Sequence, residues 1–241
     1  MKQGMFNTIL IVSAFVIGFL IFEFLLPEFI QKGGPLVVAL LALSIMVVTY
    51  VFERLLSLRK AQGKASLEKF LAALIKHVSA GDLDAAISAC DGQRGSLANI
   101  IKSGLERFRE ISSDKSMEAK DKMGEVQRVI EEATMLEMPI LEKNLIALST
   151  IASIATMVGL LGTVIGMIRS FAALAHAGSA DAVQLSQGIS EALINTALGL
   201  LAAIIGIVAY NYFVTKVDNF TYMIDEASYN VVQILHARTN E

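Results

Sequence analysis

Residues 145–168 read LIALSTIASIATMVGLLGTVIGMI, a stretch without one charged side chain. About 20 apolar residues carry a helix across a hydrocarbon core of roughly 30 Å, whereas a surface helix of a soluble domain is apolar along one stripe only. The segment therefore reads as a membrane span. Its polar residues follow a rule: Ser149, Thr156, Thr163 and Ser170 recur every seven residues, which keeps them on nearly one face with a drift of about 20° per repeat. Ser153 lies one turn from Thr156 on the same side. Gly159, Gly162 and Gly166 add small residues, the last two in GxxxG-type register, where helices can approach closely.

Outward from this segment, the stretches 5–26, 35–52 and 192–215 also have the length and apolarity of spans. With 54% hydrophobic residues and a mean hydropathy of +0.59, the chain is too apolar for an ordinary soluble domain. The first stretch follows Lys2 and could be taken for a cleavable signal. Its length, Glu23 near its end and the lack of a small-x-small cleavage pattern favour a retained helix. Cations gather at Arg54, Arg59, Lys60 and Lys64 after the second stretch, at Lys143 before the third and at Lys216 after the fourth, while 170–190 holds no Lys or Arg. By the positive-inside rule the basic flanks and both termini face the cytoplasm.

The organisation expected is an N-terminal hydrophobic helix and outer turn (1–34), a transmembrane helix (35–56), a cytoplasmic helical domain (57–144) and a transmembrane helix (145–170). A periplasmic loop (171–191), a second pore-facing transmembrane helix (192–215) and a cytoplasmic C-terminal helix (216–241) follow. The fold class is all-α: a polytopic membrane protein with long helices extending into the cytoplasm. Within 57–144 the spacing of Phe70, Leu74 and Val78 is helical, Gly81-Asp82 and Asp91-Gly92 read as turns, and Ser96 as an N-cap. Pro139 is expected to kink or break a long helix that enters the third span. Phe220, Ile224, Val231 and Leu235 carry a helical stripe past the fourth span, which neighbouring copies of the chain would cover.

Composition also excludes. With 23 acidic and 20 basic residues the net charge is −3, so no nucleic-acid footprint exists. The single cysteine, Cys90, permits no intrachain disulfide, and His77, His176 and His236 stand at no ligand-like spacing, so neither metal nor cofactor is expected. No nucleophile–base pair or phosphate-binding loop suggests an enzyme.

The fourth span answers the third with Asn195 and Thr196, then Gly199, Ala203, Gly206 and Tyr210 at helical spacing. Hydroxyls and glycines of this kind serve helix packing; a continuous row of hydroxyls also holds water and relays protons without charge. Both readings stay open for each residue. Glu191, one turn before Asn195, is either an interfacial helix-start carboxylate favoured by the N-terminal dipole or a proton-entry or partner-contact group. No Asp or Glu occupies the middle of any span. A proton-moving role would then need a titratable group from another chain.

The stretch GLLGTVIGM at 159–167 and ISEALINTALGL at 189–200, followed by Tyr210-Asn211, resemble the signature motifs of the MotA/TolQ/ExbB proton-channel family, most closely its ExbB and TolQ branches. The resemblance, which includes Glu53-Arg54 closing the second span, covers most of the chain from Pro35 onward. It implies a homo-oligomeric, pentameric ring around the single spans of an ExbD/TolR-like partner dimer whose Asp binds the proton, working with a TonB- or TolA-like protein in a lipid membrane. It also implies that Thr163 and Thr196 line the inner surface facing that Asp, with Glu191 near the outer approach. Three departures stand out: Ile205-Gly206 replaces a Pro followed by a small residue, Asn195 stands where Ala is common, and the first span is additional.

Overall fold

The computed structural model describes residues 2–113, 116–176 and 182–239. Among them there is helix and no strand, and four helices are long and apolar enough to cross a membrane. The chain divides into two compact units, Met1–Glu53 with Asn144–Phe213, and Arg54–Lys143 with Val214–Glu241.

The first unit holds α1 (Lys2–Phe24), the short α2 (Glu28–Gln31), the start of α3 (Leu36–Gln62), α8 (Leu145–His176) and the start of α9 (Ala182–Thr239). Leu10 and Ala14 form the buried stripe of α1, and Gly18 continues it so closely against α3 that a Cβ would stand 3.2 Å from the Val38 carbonyl. The tyrosyl hydroxyl of Tyr50 donates to Asn7 Oδ1 at 3.3 Å along the same seam. Elsewhere the surface is apolar: Ile9, Val12 and Phe19 on α1, Leu160, Val164 and Ile168 on α8, and Leu193, Ile204 and Val208 on α9 are 54–64% exposed. Such a belt is tolerable in lipid or against other subunits and intolerable in water.

The second unit holds the end of α3, then α4 (Leu67–Ala80), α5 (Leu83–Gln93), α6 (Ser96–Ser112), α7 (Ala119–Glu142) and the end of α9. Its core is built from Leu74, Val78, Ile100, Leu105, Val126 and Ile130 with the α9 stripe Phe220, Ile224, Val231 and Leu235, all buried. Gly81, at φ +79°, ends α4 in the left-handed conformation that glycine adopts without cost, and Asp82 caps α5 by accepting from the Ala85 N–H at 2.9 Å. Arg54 is fully buried and donates to the Leu141 carbonyl at 2.9 Å, in the last turn of α7, where a cation meets the negative end of the helix dipole.

Local details depart from the sequence reading. Asp91-Gly92 lies inside α5, and the chain turns at Arg94-Gly95, with Gly95 rather than Ser96 at the N-cap of α6. The buried Gln93 side chain makes that turn possible, bonding the Gln62 and Ala65 carbonyls at 2.9 Å and the Ala65 N–H at 3.1 Å. Pro139 sits within α7, and the break between α7 and α8 comes at Lys143-Asn144. Asn144, at φ +61°, takes the left-handed conformation, and its amide donates to Glu53 Oε2 at 3.1 Å. The stretch 171–191 expected as a loop is helical on both sides of 177–181, because its residues continue the helical pattern of the flanking spans.

Candidate functional site

α8 and α9 form an antiparallel pair whose seam is made of small residues. A Cβ on Gly159 would meet the Asn195 carbonyl at 3.1 Å, one on Gly199 the Ala155 carbonyl at 2.6 Å, and one on Gly166 the Gly188 carbonyl at 2.6 Å. Gly162 receives the side chain of Asn195, and Gly206 packs on Ala152. Both helices place glycine or alanine at spacings of three and four, so one face of each is backbone-thin and the two axes close in.

The hydroxyls flank this seam. Thr156 and Thr163 are half-buried, Ser149 likewise, and Ser153 is exposed. Each donates to its own helix: Ser149 to Ile146 at 3.1 Å, Ser153 to Ser149 at 3.1 Å, Thr156 to Ala152 at 3.3 Å and Thr163 to Leu160 at 2.6 Å. The donors are thereby satisfied within the span, and the oxygen lone pairs remain available along the helix edge. Ser170 leaves the row. Three heptads accumulate about 60° of drift, which turns it fully into the seam, where it donates to the Leu185 carbonyl at 3.1 Å. From α9, Thr196 donates to Ala192 at 3.2 Å and across the seam to Gly159 at 3.4 Å. Thr163 borders an apolar groove with Val164, Met167, Ile168 and Phe171.

Asn195 and Glu191 belong to a separate cluster at the end of the pair nearest α2. Asn195 is fully buried, and its amide donates to the Gly33 carbonyl at 2.8 Å and the Glu191 carbonyl at 3.0 Å, while Oδ1 has no partner among the described residues. It faces Gly162 and the turn before α3 rather than the exposed edge that Ser153 reaches. Glu191 is 7% exposed and pairs with Arg169 Nη1 at 2.5 and 2.6 Å. Gly34, at φ +74°, lies against this carboxylate so tightly that a Cβ would be 2.9 Å from Oε1. Since α9 begins at Ala182, Glu191 is well past the first turn, and the dipole account of a helix-start carboxylate does not apply. Arg169 and Gly188 were not singled out from sequence. Arg169 stands one residue beyond an uncharged run and Glu191 near the head of another, a pattern that opposite charges at the two ends of a hairpin would produce.

No group of His, Cys, Asp or Glu among the described residues is arranged to hold a metal ion. Cys90 is buried, and its thiol is pushed up to about 12 by burial and by the neighbouring Asp91 carboxylate.

A profile of the MotA/TolQ/ExbB proton channel family matches residues 93–226, which take in α8 and α9 as far as Glu226. The chain belongs to the MotA/TolQ/ExbB proton channel family. It is 38% identical over 114 residues to the Tol-Pal system protein TolQ of Pseudomonas aeruginosa, covering 47% of this chain and 49% of that protein. It is 29% identical over 193 residues to an ExbB homologue of Methanothermobacter thermautotrophicus (80% and 64%), and 37% identical over 114 residues to the biopolymer transport protein ExbB of Aquifex aeolicus (47% and 69%). The matches thus span about half to two thirds of these relatives. A MotA/TolQ/ExbB chain with four span-length helices is a multi-pass membrane protein of a channel family and not an enzyme.

Proposed function

We propose that this chain is the ring subunit of a proton-driven motor in a bacterial inner membrane, both termini cytoplasmic, in which five copies enclose the single spans of an ExbD/TolR-like partner. Proton passage between the ring and a carboxylate on that partner drives the partner's motion, and a TonB- or TolA-like protein carries the work outward. The observation that supports this best is the row Ser149, Ser153, Thr156 and Thr163, with Thr196 across the seam, in spans that carry no carboxylate at mid-depth. Such a row can hold water and pass protons, yet has nothing to bind one. A titratable group must therefore arrive from elsewhere. Each proton delivers about 2.3 kcal/mol per 100 mV of membrane potential, so useful work takes several transfers, which repeated equivalent sites around a ring provide.

Thr163→Val and Thr196→Val keep the side-chain shape and remove the hydroxyl. Both variants should assemble as the unchanged protein does and abolish uncoupler-sensitive transport in the host; transport that persists would end the role given to these hydroxyls. A motility stator is the reading within the same family, and it would require a charged cytoplasmic patch that engages a rotor. In a non-conducting scaffold the same threonines would serve packing alone, and their loss would alter assembly instead of transport.

A further inference from the structure

A cavity of about 340 Å³ in the second unit has no part in that reading. It lies where α4 and α6 end, α7 begins and α9 makes its last turn, and Gly81, Phe108, Ser112, Lys122, Arg238 and Thr239 are among its lining. Two of these are cations, and no described residue of the lining carries a carboxylate. Lys122 is only 9% exposed, a burial that lysine seldom accepts without a charged partner. Its ammonium nevertheless has one neutral acceptor among the described residues, the Ser112 carbonyl at 3.1 Å, so two of its three N–H bonds are unused. The Arg238 guanidinium rests on Gly81, where a Cβ would collide with it, and Nη1 donates to the Val78 and Ser79 carbonyls, each at 3.2 Å. Its Nε and Nη2 meet no acceptor among the described residues.

Cations at helix C-termini answer the dipole and the last carbonyls, and Lys122 and Arg238 do so for α6 and α4. Each helix end carries about half a negative charge, so two full cations leave about one positive charge over. The surrounding acids do not remove it. Asp82 caps α5 through the Ala85 N–H, Asp84 pairs with Arg109, and Glu118 and Asp121, close to Lys122 in sequence, are exposed and outside the lining. The unused donors specify the anion. A carboxylate has two oxygens, enough for the Nε–Nη2 fork of arginine alone, whereas a phosphate offers further oxygens to an ammonium on the same cavity. None of the large apolar side chains exposed in this unit, from Leu56 to Tyr229, lines the cavity, so the ligand is a soluble one.

We propose that this cavity binds the phosphate group of a small soluble phosphate, the Arg238 fork taking two oxygens and the Lys122 ammonium a third. The site belongs to the second unit and does not rest on proton conduction, so the transport assays above can fail without touching it.

The test separates a ligand site from a pair of helix caps. Lys122→Met keeps most of the side-chain length and removes the ammonium, and Arg238→Gln removes the fork. Full-length protein in mild detergent and phosphate-free buffer is titrated with inorganic phosphate, then with glycerol 3-phosphate, at constant ionic strength set with potassium chloride. Phosphorus NMR line broadening gives the affinity, and thermal unfolding gives the midpoint. Phosphate should raise the midpoint of the unchanged protein above that in chloride alone, and each variant should weaken phosphate binding at least about fivefold. Variants that unfold earlier in phosphate-free buffer, yet bind phosphate as the unchanged protein does, would show caps and nothing more and would overturn the proposal. So would a midpoint that chloride raises as much as phosphate, or phosphatidylglycerol micelles that bind more tightly than either soluble probe.

Discussion

Gly166→Ala tests the α8–α9 seam where backbone meets backbone. The added Cβ would stand 2.6 Å from the Gly188 carbonyl oxygen, 2.8 Å from the Ala192 nitrogen and 2.9 Å from the Ala192 Cβ, against an ordinary contact of at least 3.4 Å. Two of these three are backbone atoms that cannot rotate away, so the helices must part by about 0.5–0.8 Å, a gap that forfeits a quarter to a half of the dispersion energy of each pair it opens. Overpacking of this kind costs about 1–3 kcal/mol, and the better helix propensity of alanine returns up to about 1. A net loss of roughly 1–2 kcal/mol follows. Gly124 is the control: it lies in α7 with nothing within 4 Å of its Cβ position, so alanine there should stabilise by up to about 1 kcal/mol. Loss of helical circular dichroism on titration with dodecyl sulfate, from purified protein in mild detergent, reads both. Gly166→Ala unfolding at or above the midpoint of the unchanged protein would refute the close approach of α8 and α9.

Three further outcomes follow from the same structure. Arg169→Ala leaves Glu191 buried without its cation, and since Arg169 is half-exposed the loss should be about 1–3 kcal/mol, below that of a fully buried pair; adding Glu191→Gln should restore most of it, and additive losses in this double-mutant cycle would deny the coupling. The Arg128 and Arg107 guanidiniums, by hydrogen bonding, hold the carboxyl of Glu125 down to about 2, well under its unfolded value, so the stability it contributes is present above the usual carboxylate range and is lost as pH falls from about 4.5 toward 2. Glu125→Gln should flatten the pH dependence of the melting midpoint in that window, and an unchanged slope would count against the α6–α7 tie. Cys90 should resist maleimide at pH 7 until the protein is denatured, since its thiol is both buried and held protonated; rapid labelling of folded protein would contradict this placement.

The spans and the hydroxyl row were legible because hydropathy and heptad spacing are properties of one helix at a time. Residues that matter through pairing were not. Arg169 and Glu191 are 22 positions apart and meet only because α8 and α9 run on as helices on either side of 177–181. Asn195 shares its spacing with the pore-facing candidates, and only the position of Gly162 and Gly33 opposite it turns it into the hairpin. The α7–α8 break illustrates a third limit: Pro139 is the stronger local signal, but the helix absorbs it and yields at Asn144, where Glu53 receives the side-chain amide.

The most direct test of the central claim is proton flux into liposomes, followed with an internal pH dye under an imposed potential, for the chain alone, for the chain with the ExbD/TolR-like protein of its host, and for the same complex with that partner's membrane-embedded Asp replaced by Asn. Flux that needs both proteins and disappears with the Asn variant is the predicted result, because the spans of this chain supply hydroxyls and no proton-binding carboxylate at mid-depth. Equal flux from the chain alone, or from the complex carrying the Asn variant, would contradict the account.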